Sequence, residues 1–516
     1  MLIEALIGVC LLGAAAVAVA PNAYAGKLAF GVSAVPLVGS LYMYLTFDGS
    51  GNALLGGDVA YRTFFEWLTL GPYTVNYHVG LDGISLPLVV LTTVLTTLSI
   101  LSAWTPVDSR ERQFYALMLF MEAALVGVFA ALDFLLWFVF WEAVLVPMYF
   151  LIGVWGGPRR KYAAIKFFVY TNVASLVMFI GFFGLVFGLG DAVGSTGLPE
   201  IAQALRAGQL GALGVPGTGA AIPAGSLALA AFAAMFVGFA VKVPIVPFHT
   251  WLPDAHVEAP TPASVMLAGV LLKMGTYALL RFNFTMLPEQ AATLAVPIAV
   301  IAIISIVYGA LLALAQSDLK RIVAYSSVSS MGYVILGLVA FTYYGVGGAT
   351  FQMIAHGLIS GLLFMTVGVF YNATHTRMVG DMSGLADRMP LTSGVFVAGA
   401  FAYMGLPLMA GFAAELYVFI GAFRSTVLPA APLFTAIAMF GIVIVAGYLL
   451  WAMQRSLFGP FRLETDYEIG RAPVHDVVAI VTLVGLIVLL GTAPWIFYGM
   501  IDNATAAVVE VGGELP

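Results

Sequence analysis

Charge is scarce in this chain. Of its 516 residues only 9% are Asp, Glu, Lys or Arg, where a soluble domain carries about a quarter, and 62% are hydrophobic. So little polar surface cannot coat a water-facing globule, which excludes a soluble domain and makes lipid the solvent. Cysteine is nearly absent. Cys10 stands alone, so a disulfide framework and a cysteine-rich metal or iron–sulfur site are excluded. A cationic leader is missing too. The apolar first residues run to "VAVAPNAYA" but carry Glu4 and no Lys or Arg, so they read as a retained first span. The net charge of −6 is spread over loops, and nucleic acid is not an expected partner.

What is present is apolar runs of about 18–30 residues, long enough to cross a ~30 Å hydrocarbon core as helices. About fourteen recur, near 2–20, 28–47, 83–104, 113–131, 134–155, 164–189, 226–248, 261–281, 293–315, 321–341, 347–371, 392–422, 432–454 and 475–500. The expectation is an all-α, polytopic protein forming a single membrane domain over 1–516, with longer connections at 48–82, 190–225 and 455–474. The cations test the map. With the N-terminus outside, fourteen Lys and Arg fall in inside loops, from Lys27 and Arg110 to Arg462 and Arg471. Four fall outside, namely Arg62, Arg206, Arg281 and Arg424. That asymmetry predicts an even number of spans with both termini outside.

Several charges lie within the apolar runs: Glu142 in "FVFWEAVLVPMYF", Lys242 in "MFVGFAVKVPIVPFH", Lys273 in "GVLLKMGTYALL" and Glu415 in "GLPLMAGFAAELYVF". Glu122 in "LFMEAALVGVF" is a further candidate. Each costs about 2.5–3.5 kcal/mol at mid-bilayer. Interhelical polar contacts return under about 1 kcal/mol each, so a role as helix glue does not account for five of them. His249 and His256 flank "HTWLPDAH", and His356 lies inside a span in "FQMIAHGLISG". Imidazole exchanges protons near neutral pH.

Prolines break two of the runs beside these charges. Pro244 and Pro247 interrupt the seventh next to Lys242, and Pro407 interrupts the twelfth before Glu415. Five spans separate the breaks, which coincide if two five-helix units, approximately 113–281 and 293–454, are inverted repeats. Broken helices in corresponding places point to a transport site, because the freed backbone groups need water or protein partners.

The blocks "FWEAVLVPMYFLIGVWG", "KVPIVPFHTWLPDAHVEAPTPASVMLAGVLLKMGTYALLRF" and "SDLKRIVAYSSVSSMGYV" resemble the antiporter-like proton-pumping subunits of respiratory complex I, most closely subunit M, called subunit 4 in mitochondria. The likeness runs from about residue 80 to 460. It implies fourteen transmembrane helices with two inverted five-helix repeats. It implies that Glu142 and Lys242 form a coupled pair, that Lys273 is the central lysine, and that His249 and His356 line a hydrated axis. Glu415 matches an acidic residue on the twelfth helix, where sister subunits and related Na+/H+ antiporters usually carry Lys, so it points to the M type. Ser330 departs from the family, which often has histidine there; the step from Lys273 to Glu415 is then expected to use His356, Tyr333 and water.

The resemblance further implies a subunit of a proton-pumping NADH:quinone oxidoreductase-type complex with no redox centre or cofactor of its own. Quinone, flavin and iron–sulfur clusters are expected in partner subunits. Partners are other membrane subunits of complex I: antiporter-like neighbours on both sides, the lateral helix of the distal one, and lipids. The location is a prokaryotic inner or plasma membrane. Mechanistically, Glu142 and Lys242 at a separation of ~7 Å attract by ~2.4 kcal/mol at an effective dielectric near 20. Lifting a proton against 100 mV takes about 2.3 kcal/mol, so opening and closing that pair is energetically relevant. Alternatives are a subunit of a multisubunit Na+/H+ antiporter and a non-pumping membrane scaffold.

Overall fold

The structure, a computed structural model, describes residues 1–465, 467 and 469–512. Backbone in lipid must satisfy its own polar groups, and these apolar runs do so as helices. In chain order they are α1 (Leu2–Val19), α2 (Asn22–Leu45), α3 (Ser85–Ser102), α4 (Glu111–Ala130), α5 (Phe134–Trp155) and α6 (Arg160–Leu189). Then come α7 (Ala224–Lys242), α8 (Trp251–Glu258), α9 (Thr261–Thr285), α10 (Ala295–Leu314), α11 (Leu319–Val339) and α12 (Tyr343–Thr374). The last are α13 (Pro390–Tyr403), α14 (Ala410–Phe423), α15 (Ala431–Ser456), α16 (Val474–Thr492) and α17 (Trp495–Gly512). Among the described residues thirteen helices are long and apolar enough to cross a membrane. The remaining expected span, the twelfth, is split into α13 and α14, each shorter than a full crossing.

The helices sort into a core and a rim. The central stretches of α9 and α12 are wholly buried and those of α3 and α11 nearly so, whereas those of α1, α2, α15 and α16 bury about a third of their residues and turn apolar side chains outward. α11 packs between α10 and α12, α7 lies along α6, and α14 lies along α12. Charges carried on α9 and α12 are thus shielded from lipid by other helices, as intramembrane charges require.

Four features differ from the sequence-based map. The connection 48–82 contains an antiparallel hairpin, β1 (Ala60–Leu70) and β2 (Tyr73–Leu81), turned at Gly71–Pro72 with Gly71 at φ +60°. The apolar/polar alternation of β2 and the Gly-Pro turn are strand signals that hydropathy alone passes over. The connection 190–225 contains a short helix, Leu198–Arg206. The last run ends at Thr492, and α17 starts anew just after Pro494. Finally, Arg281 is inside α9 rather than in a loop, only 1% exposed. Its Nη2 is 2.5 Å from Asp82 Oδ1 and its Nη1 donates to Asn52 Oδ1 at 3.1 Å.

Asp82 also accepts from the backbone N–H groups of Ala53, Ile84 and Ser85. Burial alone would raise Asp82, but the Arg281 charge and these donors hold it below the ordinary carboxylate range. Asn52 donates onward to Ala504 O of α17. This buried knot joins the 48–59 loop, the end of the hairpin, α9 and α17.

Candidate functional site

The first break positions Lys242. Pro244 and Pro247 have no N–H to continue the ladder, so α7 stops at Lys242. The freed groups find protein partners: Trp251 Nε1 donates to Val241 O at 2.9 Å, and Val246 N donates to Ser305 Oγ at 3.0 Å. Lys242 is buried, with its Nζ 4.0 Å from the ring centroid of Trp141 and without a hydrogen-bond partner. Trp141 directly precedes Glu142 on α5. Five residues beyond Glu142, Pro147 removes the bond that would close on Ala143 O, so the helix loosens at Val144. Glu142 is half-buried. Its Oε2 accepts from Asn172 Nδ2 at 3.2 Å, and its Oε1 has no partner. Among the described residues no carboxylate lies within 4.0 Å of Lys242 Nζ, yet Glu142 is the charge that acts on it. The two are neighbours without a formed ion pair.

The second cluster is centred on Lys273. Its stretch of α9 is flanked by wider turns at Leu267–Leu271 and Leu279–Thr285, a geometry that frees carbonyls and recurs at functional sites. Lys273 Nζ donates to Ala268 O and lies 2.6 Å from His356 Nδ1 on α12. The other ring nitrogen, His356 Nε2, is 3.0 Å from the hydroxyl of Tyr403, the last residue of α13. Glu415 follows on α14. It is five residues past the start of that helix at Ala410, about 7.5 Å along its axis, nearer the break than the ~12 Å that counting from Pro407 implies. Gly405, at φ +69°, folds over the carboxylate. A Cβ at that position would sit 2.5 Å from Glu415 Oε2, so a side chain there pushes the carboxylate aside and strains the left-handed backbone. Ser330, Gln352, His356, Tyr403 and Glu415 enclose a cavity of about 10 Å³.

The candidates divide accordingly. The structure brings Glu142 beside Lys242, Lys273 against His356, and His356 and Glu415 to one cavity. His249 is buried after the first break, its ring near those of Tyr308 and Tyr325. Glu122 stands apart on α4, wholly buried, with Cys10 of α1 as its polar neighbour. Tyr333, expected to help bridge toward Glu415, lies within reach of the Glu415 charge, while its hydroxyl donates to Ala438 O at 3.1 Å. Tyr403 takes the place beside His356. Sequence reasoning also passed over Lys320 and left His256 out of the site. Lys320 reads as a loop cation beside Arg321 but is buried in α11, its Nζ donating to Ala259 O at 2.7 Å. His256 is fully buried on Phe364, between Lys320 and Lys273, whose charges both reach it.

Below Lys320 opens a vestibule of about 490 Å³, lined also by Glu258, Tyr371, His375 and Arg377. Asp254 accepts from Lys166 at 2.7 Å and Arg321 at 3.3 Å, pinning α8 beside that mouth. Among the described residues no group of three or more His, Cys, Asp or Glu is placed to hold a metal ion. What the arrangement can do is pass protons between buried amines, imidazoles and carboxyls.

Comparison with known proteins gives the family and the fold. Residues 131–444 match the family described as NADH:quinone oxidoreductase/Mrp antiporter, transmembrane. Residues 59–128 match the amino terminus of NADH-ubiquinone oxidoreductase chain 4. The F(420)H(2) dehydrogenase subunit M of Methanosarcina mazei is 40% identical over 481 residues, covering 92% of this chain and 91% of its own. The NADH-quinone oxidoreductase subunit M of Rhodobacter capsulatus is 40% identical over 439 residues, covering 84% and 82%. A chain of respiratory complex I from Thermus thermophilus with bound NADH superposes with a TM-score of 0.84 at 26% identity, covering 99% of this chain and all of that one.

Proposed function

This chain belongs to the NADH:quinone oxidoreductase/Mrp antiporter family as an antiporter-like membrane subunit of the M or chain 4 type, and we propose that it moves protons along one buried row of side chains. The row runs from the vestibule at Lys320 through His256 to Lys273 and His356, and ends at Glu415, with Glu142 and Lys242 as the pair that controls it. The observation that carries this reading is the direct contact of Lys273 Nζ with His356 Nδ1 at 2.6 Å, deep among helices that hold both away from water. Two basic groups in contact at that depth share one proton at a time, which suits transfer and not a static ion pair.

Glu142 and Lys242 supply the switch. Closing them into an ion pair holds the proton on Lys242. The open arrangement, with the ammonium on the Trp141 face, releases that hold and sends charge toward Lys273. The cation–π contact, worth up to about 2 kcal/mol when desolvated, keeps the open form accessible. Glu122 is left outside the path, and His249 is assigned to the wetted first break. The energy comes from quinone chemistry in other subunits, which carry flavin, iron–sulfur clusters and quinone. Neighbours are other membrane subunits of such a complex. The cation asymmetry supports a cell-membrane location with both termini on the outer side. The match to the chain 4 amino terminus supports this redox-linked role over a sodium antiporter.

The test is Lys242→Ala in the assembled complex, reconstituted in liposomes with a pH-sensitive dye. Pumping falls below about a tenth of wild type. Lys242→Arg fails as well, because a guanidinium does not release its proton near neutral pH. An assembled Lys242→Ala complex that pumps normally refutes the mechanism.

A further inference from the structure

The two helix breaks share one backbone pattern. At the first, Ile245 N donates to Ala240 O and Phe248 N donates to Ile245 O. At the second, Leu406 N donates to Phe401 O and Met409 N donates to Leu406 O. Each second-break bond is 161 positions after its first-break counterpart. At that spacing the last residue of α7, Lys242, corresponds to the last residue of α13, Tyr403. The place held by a proton-active ammonium at one break is held by a buried phenol at the other.

Tyr403 is also a polar group that meets the His356 ring and lines the cavity it shares with Glu415. Its hydroxyl is 3.0 Å from His356 Nε2 on one side and lines the cavity shared with Glu415 on the other. That cavity, about 10 Å³, is the size that admits one water. A buried water needs two to four polar partners. Here the buried Glu415 Oε2 and Gln352 Oε1 have none of their own, and Tyr403 and Ser330 add two hydroxyls. A metal cation is the poorer occupant, with the Lys273 ammonium just beyond the His356 ring.

We propose that Tyr403 and a single water in this cavity relay the proton from His356 to Glu415. The inference rests on the route proposed above. One proton leaves Lys273 Nζ for His356 Nδ1 as the proton on His356 Nε2 moves to the Tyr403 oxygen. The phenolic proton passes to the water, and a water proton passes to the Glu415 carboxylate. Lys273 ends neutral and Glu415 ends protonated. Each group between them gains one proton and loses one, and nothing is oxidised or reduced.

The experiment is Tyr403→Phe in the assembled, reconstituted complex, run beside Lys242→Ala and read as pumping rate and solvent deuterium isotope effect. Phenylalanine keeps the ring and removes only the hydroxyl. The expected result is at least about a fivefold loss of rate with a larger isotope effect, because proton transfer becomes limiting. A packing role changes assembly without changing the isotope effect. If Tyr403→Phe does not assemble, Gln352→Leu, which removes one partner of the water, decides by the same two readings. A wild-type rate and isotope effect in the deciding variant, with Lys242→Ala inactive, overturns the relay alone. Normal pumping in Lys242→Ala overturns the route beneath it. A wild-type rate that follows sodium instead of pH overturns the water and assigns the cavity to a cation.

Discussion

At the scale of single residues, burial does not distinguish a working charge from a spectator; its neighbours do. Lys273 touches His356, and His356 touches Tyr403, so each has somewhere to send a proton. Glu122 is as deeply buried, but neither of its oxygens has a hydrogen-bond partner among the described residues and Cys10 is the polar group that acts on it. Glu122→Gln is therefore expected to pump within about twofold of wild type, a change under about 0.5 kcal/mol in barrier. A loss comparable to that of Lys242→Ala, measured in the same liposomes, places Glu122 on the path. Glu142, Lys242, Lys273 and Glu415 were legible in the sequence because a charge in an apolar run is conspicuous. Tyr403 was not. A tyrosine in a membrane helix carries no hydropathy signal, and only the fold shows that its hydroxyl meets an imidazole. Lys320 escaped for the opposite reason, since a lysine beside Arg321 at the end of a run reads as a solvated loop cation.

At the scale of elements, the breaks were legible and their consequences were not. Proline chemistry at Pro244, Pro247 and Pro407 predicts where the helices stop. It does not predict that α14 begins only at Ala410, or that Gly405 closes over Glu415. The hairpin, β1 with β2, was missed because a search for long apolar runs discards a nine-residue alternating strand such as β2. The Arg281–Asp82–Asn52 knot that ties its end to α9 and α17 was hidden, since the three residues are far apart in the chain. Removing one partner of a buried ion pair strands the other. Arg281→Ala is expected to destabilise by about 3–5 kcal/mol, read as a lower apparent melting temperature in detergent. Arg281→Met combined with Asp82→Leu removes both charges and loses less. A single variant that melts with wild type shows that the knot holds nothing.

At the scale of the whole molecule, the rim of lipid-facing helices exists to keep a polar row dry enough to control and wet enough to conduct. α9 and α12, whose central stretches are wholly buried, carry Lys273 and His356, and the broken helices carry Lys242 and Glu415. The number of spans was readable from composition because lipid forces apolar runs into helices. Which spans lie inside was only partly so: the buried α3, α9, α11 and α12 are less hydropathic than α1, α10, α15 and α16, yet α2 is no more hydropathic than α9 and faces outward. The central claim is that protons leave this row through Glu415. Its most direct test is the number of protons released per electron pair by the reconstituted complex carrying Glu415→Gln, which keeps the shape of the protonated acid but cannot give up a proton. The account predicts an assembled complex that releases fewer protons per electron pair than wild type, or turns over too slowly to release any. An unchanged ratio at the wild-type rate contradicts it and moves the exit to another group.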